Sequence, residues 1–299
     1  SLASRAEAPV SAGSYGVMLL LALIWGLSIP ITKLGLESVP PLTLTAMRFG
    51  VAVPLLLLMT IGAKRLPFRE MAKTAALGVI GIGIGQLAQN VGVARTTASA
   101  GTIISATIPL FVVVFAAFHL RQPVSGLQRL GLLSAFLGIV LVALGSGGGA
   151  ASLLDSSLAG AGILIVSCLA IAFYYVYSVE LTRKYGSVPI IAWSTAVGFI
   201  ALLPGAGWEM TTQPMNVTLE AVLAILFLGL LVTVAGLFVW LHVLRTVPAR
   251  IAAGIQYLQP LFGMAASAWM FDDTLNLFFA GGVALVLAGL AMAIPASRN

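Results

Sequence analysis

The chain has 299 residues, of which 60% are hydrophobic and only 8% are charged. A soluble domain usually carries about 25% charged residues, so this composition excludes an ordinary soluble globular protein and favours the lipid bilayer as the main solvent. The net charge of +6 would also suit a nucleic-acid-binding protein. It is equally typical of membrane proteins with basic cytoplasmic loops, and we expect no nucleic-acid partner.

Apolar runs of about 20 residues recur from end to end, and each is long enough to cross roughly 30 Å of hydrocarbon. Divided at charged residues and at Pro/Gly/Ser clusters, the runs predict an all-α polytopic membrane protein with ten transmembrane spans. The predicted spans are 14–36, 41–61, 71–93, 97–118, 127–145, 158–181, 188–205, 217–244, 248–271 and 276–295. Residues 1–13 are polar and lack the features of a signal peptide, so we expect none there.

The distribution of Lys and Arg predicts the orientation of the spans. With the amino terminus in the cytoplasm, twelve basic residues lie on the cytoplasmic side, Arg95 lies outside, and Lys33 and Arg48 fall within spans. This bias is a strong positive-inside signal. The acidic residues predicted on the outer side are Asp155, Glu209, Asp272 and Asp273. We therefore expect a multi-pass protein of a bacterial-type inner membrane, with both termini in the cytoplasm.

The two halves of the chain resemble each other at a constant offset of 151 positions, at which Pro109-Leu110-Phe111 recurs as Pro260-Leu261-Phe262. The same offset pairs Lys33 with Lys184, Gly78 with Gly229, Gly85 with Gly236, Ala98 with Ala249, Gly131 with Gly282 and Gly138 with Gly289. We predict two five-helix repeats, 14–148 and 158–295, in one membrane domain. Because five is odd, the second repeat is inverted, and inverted repeats typically alternate access to a solute site near the midplane.

Polar side chains within the spans indicate where that site lies, because polar groups in hydrocarbon usually face the bundle interior or a wet cavity. Gln86 and Asn90 share one side of the third span at a spacing of four. Ser105 and Gln256 occupy equivalent positions of the two repeats, and Tyr257 follows Gln256. The alternative is that these groups only form interhelical hydrogen bonds that hold the bundle together.

Aromatic residues supply the apolar part of the predicted site. Trp25 and Trp240 lie within the first and eighth spans, and Tyr177 is one place from the repeat position equivalent to Trp25. Rings bury apolar area and amides fix orientation, which suits a solute with an apolar side chain and polar ends. The alternative is an interfacial belt or core packing. The predicted substrate-binding residues are Trp25, Gln86, Asn90, Ser105, Tyr177, Trp240, Gln256 and Tyr257.

Two basic residues fall within spans. Arg48 lies about seven residues into the second span, within snorkelling reach of the outer surface. A structural pair with Glu37 or with carbonyls at helix ends is favoured over a role in binding a substrate carboxylate, and Lys33 is interpreted in the same way. The cluster of basic groups that a multiply charged solute would need is missing, whereas a zwitterionic amino acid needs less.

The sequence carries no pattern that is typical of an enzyme. The only histidines are His119 and His242, so no His/Cys metal site is predicted, and paired carboxylates within the spans are also missing. We expect no catalytic residue, no metal, no cofactor and no obligate protein partner. Every acid lies near a span end or in a loop, so we expect weak or no obligatory proton coupling.

These residues, taken in order, resemble the drug/metabolite transporter superfamily, specifically its ten-span EamA-type members. The resemblance rests on Trp25-Gly26 followed by Lys33, on Arg48-Phe49, on Asn90, Ala98, Pro109, Gly131 and Gly138, and on Ala249, Pro260 and the segment 282–289. One departure is that family members often carry a Glu after the fourth and ninth spans, where this chain has Arg121-Gln122 and Asp272-Asp273.

The chain is most similar to family members that export aromatic amino acids and metabolites. The resemblance implies a secondary transporter that exports aromatic and other neutral amino acids from the cytoplasm by alternating access. The alternatives are a broad exporter of hydrophobic drugs and, from a different class, a membrane-embedded enzyme or a structural subunit.

The orientation can be tested by labelling a cysteine at the outer loop. In a Cys168→Ala background, Asp272→Cys should react with a membrane-impermeant maleimide on intact cells, because the positive-inside rule puts this loop outside. Reaction only after permeabilisation would reverse the orientation.

Overall fold

The computed structural model describes residues 12–63, 65–121, 123–145, 158–246, 256–273 and 276–293. Every regular element in these ranges is helical. Eight helices are long and apolar enough to cross a membrane: α1 (Ala12–Leu36), α2 (Pro41–Leu58), α3 (Phe68–Ala94), α4 (Ala98–His119), α5 (Gly126–Gly145), α6 (Leu158–Tyr177), α7 (Ser187–Thr212) and α8 (Leu219–Val243).

Two further apolar helices correspond to the last two predicted spans. They are α9 (Leu258–Phe271), of 14 residues, and α10 (Leu277–Ala293), of 17 residues. The first part of the predicted ninth span, with Ala249, lies outside the described residues, as do Gln122 and Asp155. A short helix, Val179–Tyr185, joins α6 to α7.

Both α3 and α8 change to a wider π-helical winding part of the way along. The π segments are Val79–Gln86 in α3 and Phe227–Ala235 in α8, and they overlap at the repeat offset. A π-helical turn bonds each amide to the carbonyl five residues back, and such turns are frequent at functional sites. In α8, the Thr233 hydroxyl adds a bond of its own, donating to Leu228 O five residues back at 2.8 Å.

The helices that surround these π segments follow the repeat. α3 packs against α6 and α7, and α8 packs against α1 and α2. Glycines permit the close contacts: a Cβ on Gly81 would lie 2.4 Å from Tyr174 Cβ, and one on Gly85 would lie 2.9 Å from Ile171 Cγ1. The glycines of the third span therefore serve helix packing, as their spacing of four predicts.

A close crossing joins α5 to α10 through glycines that are equivalent in the repeat. A Cβ on Gly138 would lie 2.7 Å from Gly282 O, and one on Gly131 would lie 2.7 Å from Gly289 O. The contacts run in opposite order along the two helices, so the helices are antiparallel. Backbones that approach this closely hold transmembrane helices together by van der Waals contact, since lipid offers no hydrophobic driving force between helices.

This crossing predicts a difference between neighbouring glycines. Gly282→Ala should lower the unfolding temperature, because its Cβ would meet backbone atoms of α5 at 2.7 Å and such overpacking costs about 1–3 kcal/mol. The matched control is Gly281→Ala, whose Cβ would meet only Leu141 Cδ1 at 4.0 Å. Thermal unfolding of the purified variants in detergent measures both. Equal unfolding temperatures for the two variants would contradict the tight crossing.

Candidate functional site

Arg48 lies near the middle of α2 and is buried, with 8% of its surface exposed. Its Nε donates to Thr233 Oγ1 in α8 at 3.2 Å, and its Nη1 donates to Gln86 Oε1 in α3 at 3.3 Å. The guanidinium carbon also lies 5.2 Å from the centroid of the Phe49 ring. Among the described residues, no Asp or Glu forms an ion pair with it.

The expectation that Arg48 pairs with Glu37 or with helix-end carbonyls is therefore wrong. The position of Arg48, about seven residues from the outer end of the predicted span, suggested that its side chain could reach the outer surface. However, α2 packs against α3, α7 and α8, and this packing turns Arg48 into the bundle, where a hydroxyl and an amide receive its N–H groups.

Asn90 forms a second contact between α3 and α2, one helical turn from Gln86. Its Nδ2 donates to Thr45 Oγ1 at 2.8 Å, and the Thr45 hydroxyl donates in turn to Pro41 O at 2.6 Å. Because the Thr45 proton is already committed, Asn90 must be the donor, which fixes the orientation of its amide. The residue is 1% exposed, and its Oδ1 has no hydrogen-bond partner among the described residues.

Trp25 and Trp240 meet at the π segment of α8. Trp25 Nε1 donates to Val232 O at 3.1 Å, and the two indole rings are tilted with their centroids 5.7 Å apart. A Cβ on Gly236 would lie 2.4 Å from Trp25 Nε1, so a glycine is needed for this approach. Val232 is followed by Thr233, which contacts Arg48. Trp25, Arg48, Gln86, Thr233 and Trp240 are referred to below as the Arg48 cluster.

Tyr175 is an aromatic residue of the sixth span that was not among the predicted substrate-binding residues. It lies on α6 with 51% of its surface exposed, and its phenol is within range of an electrostatic interaction with Arg48. Its neighbour Tyr174 is buried against Gly81 of α3. Nothing in the pattern of α6 distinguishes the two tyrosines, because their roles depend on the rotation of α6 against α3.

The remaining polar residues of the predicted site are not linked to the Arg48 cluster by any hydrogen bond within the described parts of the chain. Ser105 Oγ and Gln256 Nε2 are both buried without a partner among those residues. Gln256 Oε1 accepts from Gln259 Nε2. The Tyr257 hydroxyl donates to Leu290 O of α10 at 3.4 Å, and its ring packs against the hydrophobic core. Tyr257 thus contacts α10 and the core, and its contact with a solute stays a prediction.

Tyr177 lies apart from Trp25 and does not take the equivalent place in the second repeat. Its ring stacks on His119 and on Phe173, in both cases at 4.0 Å between centroids, and meets Phe115 edge-on at 6.4 Å. Trp25 of α1 instead packs on α8. In the repeat, α6 corresponds to α1 and α3 corresponds to α8, so a true equivalent of Trp25 would pack on α3. The offset by one position turns Tyr177 towards α4, since one residue rotates a side chain by about 100° around a helix.

Lys33 binds carbonyls at a helix end, as its sequence position predicts. Its Nζ donates to Val93 O at 3.0 Å, to Ala94 O at 3.3 Å and to Thr96 O at 2.7 Å, at the carboxyl end of α3. Nearby, Asp273 Oδ2 accepts from Ser99 N at 2.8 Å, in the first turn of α4. The acid after α9 therefore stabilises a helix amino terminus.

The repeat equivalent of Lys33 behaves differently. The Lys184 side chain is 64% exposed, and its Nζ lies 3.9 Å from Glu70 Oε1. A hydrogen bond with Tyr185 and electrostatic attraction to Tyr185 and Glu70 raise the pKa of this ammonium above its usual range. Among the described residues, no hydrogen bond from Lys184 to a backbone carbonyl is found. Of the two equivalent lysines, Lys33 is therefore half-buried at one end of the bundle and Lys184 is exposed at the other.

Glu209 also lies in a different place from the one predicted. It was predicted in an outer loop, but α7 continues through Pro204 to Thr212, and Glu209 is buried at 6% exposure. Its Oε2 accepts from Thr43 N at 2.6 Å and from Thr43 Oγ1 at 2.8 Å, in the first turn of α2. Proline and glycine were taken as the end of the span, but neighbouring helices allow them within transmembrane helices.

Two cavities open elsewhere on the bundle. One, of about 410 Å³, lies between Ala63, Leu66, Met71 and Trp193, near the end of α2 and the start of α7. The other, of about 280 Å³, is lined by apolar residues of α3, α4 and α6. Neither includes a residue of the Arg48 cluster, so neither is the predicted site.

Proteins of similar sequence are named as transporters. An uncharacterized transporter of Archaeoglobus fulgidus is 24% identical over 93% of this chain and 97% of its own length. The uncharacterized transporter YdfC of Bacillus subtilis is 26% identical over 88% and 85% of the two chains. The uncharacterized inner membrane transporter YedA of Escherichia coli is 26% identical over 88% and 84%.

The fold is also found in a solved structure. A crystal structure whose chain is 17% identical superposes with a TM-score of 0.62 over 96% of this chain and 97% of that chain. The model of the EamA-like transporter family matches residues 13–144 and 158–294. With nearly the whole of its length matched in two segments, this chain belongs to the EamA-like transporter family, and it is a multi-pass membrane transporter.

Proposed function

We propose that this protein is a secondary transporter that exports aromatic and other neutral amino acids from the cytoplasm. The observation that carries the proposal is the Arg48 cluster. In it, a buried cation binds an amide and Thr233 of α8, and Trp25, whose ring pairs with that of Trp240, binds the preceding residue, Val232. Rings of this kind accept an apolar side chain, and the polar groups hold the charged ends of a zwitterion. The amino-acid assignment also depends on the resemblance that the sequence motifs suggested.

The proposed mechanism is alternating access between two inverted repeats of five spans each, 14–148 and 158–295. The antiparallel glycine contacts between α5 and α10 support the inversion, because the two helices are equivalent in the repeat. The hydrogen bond from Ser134 Oγ to Leu285 O, at 2.8 Å, joins residues separated by the repeat offset of 151, as expected near a two-fold pseudo-symmetry axis. Inverted repeats that rock against each other expose a midplane site to each side in turn.

The alternatives are less well supported. A broad exporter of hydrophobic drugs that exchanges drug cations would offer a carboxylate to its substrate, but the described acid that is most buried, Glu209, is engaged by Thr43. A membrane-embedded enzyme would need a group of reactive side chains, whereas the Arg48 cluster contains no nucleophile paired with a base. Cytoplasmic termini remain the orientation proposed from the positive-inside bias.

The proposal predicts amino-acid exchange in liposomes. Proteoliposomes loaded with unlabelled phenylalanine should take up labelled phenylalanine, because the site returns loaded in both directions. Unlabelled methionine and threonine should compete, since a change of one methylene shifts binding by only about 1–3 kcal/mol in an apolar pocket. Uptake is measured by filtration, with protein-free liposomes as the control.

Two outcomes would contradict parts of this proposal. Movement of a nucleotide sugar or a cationic dye, together with no exchange of any amino acid, would overturn the substrate class. Concentrative uptake driven solely by an imposed pH gradient would overturn the expectation that transport needs no obligatory proton coupling.

A further prediction separates transport from bundle stability at Gln256. Gln256→Met should leave the unfolding temperature unchanged or raise it, because Nε2 is a buried donor without a partner among the described residues and such groups cost about 1–3 kcal/mol. Phenylalanine exchange should fall several-fold if the amide contacts the solute. The matched control is Asn276→Leu. Its amide donates to Gly145 O at 2.8 Å and accepts from Phe279 N at 2.9 Å, so its loss should lower the unfolding temperature. Normal exchange by a destabilised Gln256→Met would identify Gln256 as a purely structural residue.

A further inference from the structure

Arg48 carries a positive charge that its protein partners do not neutralise. Both described hydrogen bonds go to neutral oxygens, those of Thr233 and Gln86, and Nη2 makes none among the described residues. Arginine stays protonated in proteins, and a buried charge without a counter-ion is strongly unfavourable. A solute carboxylate that reaches this site would therefore bind strongly, and the planar guanidinium matches its two oxygens.

Asn90 offers the complementary feature one turn away. Its Oδ1 is a buried acceptor with no partner among the described residues, while its Nδ2 is committed to Thr45. A buried carbonyl oxygen without a donor is unfavourable, because it has lost its hydrogen bonds with water. An ammonium is a strong donor that would satisfy it, and it would add a charge-assisted bond.

The two groups lie on the same pair of helices. Thr45 and Arg48 are three residues apart on α2, and Gln86 and Asn90 are four residues apart on α3, so the two cross-helix contacts are separated by about 4.5–6 Å along the helices. The α-carboxylate and α-ammonium of an amino acid are attached to one carbon. The Arg48 side chain is flexible, so its guanidinium can move to the carboxylate of an amino acid whose ammonium reaches Asn90 Oδ1.

We propose that this α2–α3 contact binds the backbone of an α-amino acid, with Arg48 holding the carboxylate and Asn90 Oδ1 accepting from the ammonium. The inference rests on the proposed function and names the chemistry by which its substrates are recognised. A carboxylate that binds Arg48 either displaces the half-buried Gln86 side chain from the guanidinium or binds the guanidinium beside it. The side chain of the substrate then lies towards Trp25 and Trp240, which reach the same stretch of α8.

This arrangement selects against other solutes. A monoamine without a carboxylate meets the Arg48 charge and is repelled. A multiply charged anion finds one cation in the cluster and too few donors for its other oxygens. The substrate class is therefore solutes that carry a free carboxylate and a free ammonium on one carbon.

The test uses ligands that share one side chain. The purified full-length protein is titrated by calorimetry with phenylalanine, phenylalanine methyl ester and N-acetylphenylalanine. The ester removes the negative charge and the acetyl group removes the positive charge. We expect the ester to bind at least about tenfold more weakly than phenylalanine and the acetyl derivative several-fold more weakly, because charge-assisted bonds are roughly twice as strong as neutral ones.

Protein variants assign each loss to a residue. Arg48→Gln should weaken phenylalanine about tenfold or more and leave the ester unchanged, and Arg48→Lys should restore part of the affinity because the charge returns. Asn90→Leu should reduce the difference between phenylalanine and the acetyl derivative. The matched control is Arg69→Gln, the same substitution at an exposed arginine of α3, which should bind all three ligands like the wild-type protein.

The result that overturns the inference is equal affinity of the wild-type protein for phenylalanine and its ester, or an equal loss for both in Arg48→Gln. The wild-type comparison decides alone if Arg48→Gln does not fold. Failure of the folded wild-type protein to bind phenylalanine, methionine or threonine also overturns it. Binding with the expected pattern but without exchange in liposomes would support the inference and contradict the transport activity of the proposed function. Exchange in which the ester competes as strongly as phenylalanine would support the proposed transport and contradict the inference.

Discussion

The guanidinium of Arg48 lies at a depth where hydrocarbon would otherwise surround it, and a charge at the bilayer centre costs at least about 2.5–3.5 kcal/mol. The chain reduces this cost by bringing a hydroxyl from α8 and an amide from α3 to the same point. That requirement fixes the depth and rotation of three helices relative to one another. Gly229 contributes by its small size, since a Cβ there would lie 2.9 Å from Arg48 O. The packing of α2 against α8 and the polar chemistry of the cluster therefore depend on each other.

The two repeats share their packing but not their chemistry. α8 packs against α1 and α2 as α3 packs against α6 and α7, and both α3 and α8 carry a π segment. Yet α8 receives the indole of Trp25 and the hydroxyl contact of Arg48, whereas α3 receives Tyr174 at Gly81. Small residues preserve the close approach of backbones in both halves, and they leave the larger side chains free to differ. A single asymmetric cluster can thus form within a nearly symmetric bundle.

The two ends of the bundle also differ. Lys33 ties α1 to the carboxyl end of α3, and Asp273 ties the end of α9 to the start of α4. At the other end, Lys184 is largely exposed and interacts with Glu70. Contacts of the first kind hold four helix ends together. Under the proposed alternating-access mechanism, the contact between Asp273 and Ser99 must break when the opposite conformation forms, because it joins the two repeats that rock apart.

Hydropathy was sufficient to identify a multi-pass membrane protein, since this signal lies along the chain and needs no knowledge of packing. The resemblance of the ordered motifs to the EamA type then indicated a transporter. Helix-end chemistry also predicted the carbonyl partners of Lys33. The tertiary structure alone decided that Arg48 turns into the bundle, that Tyr177 stacks on His119, and that Glu209 is buried against Thr43. These outcomes depend on the rotation and length of each helix, which are set by contacts with other helices that lie far away along the chain. Periodicity within one helix shows which residues lie on the same face of that helix. It does not show which other helix packs against the face.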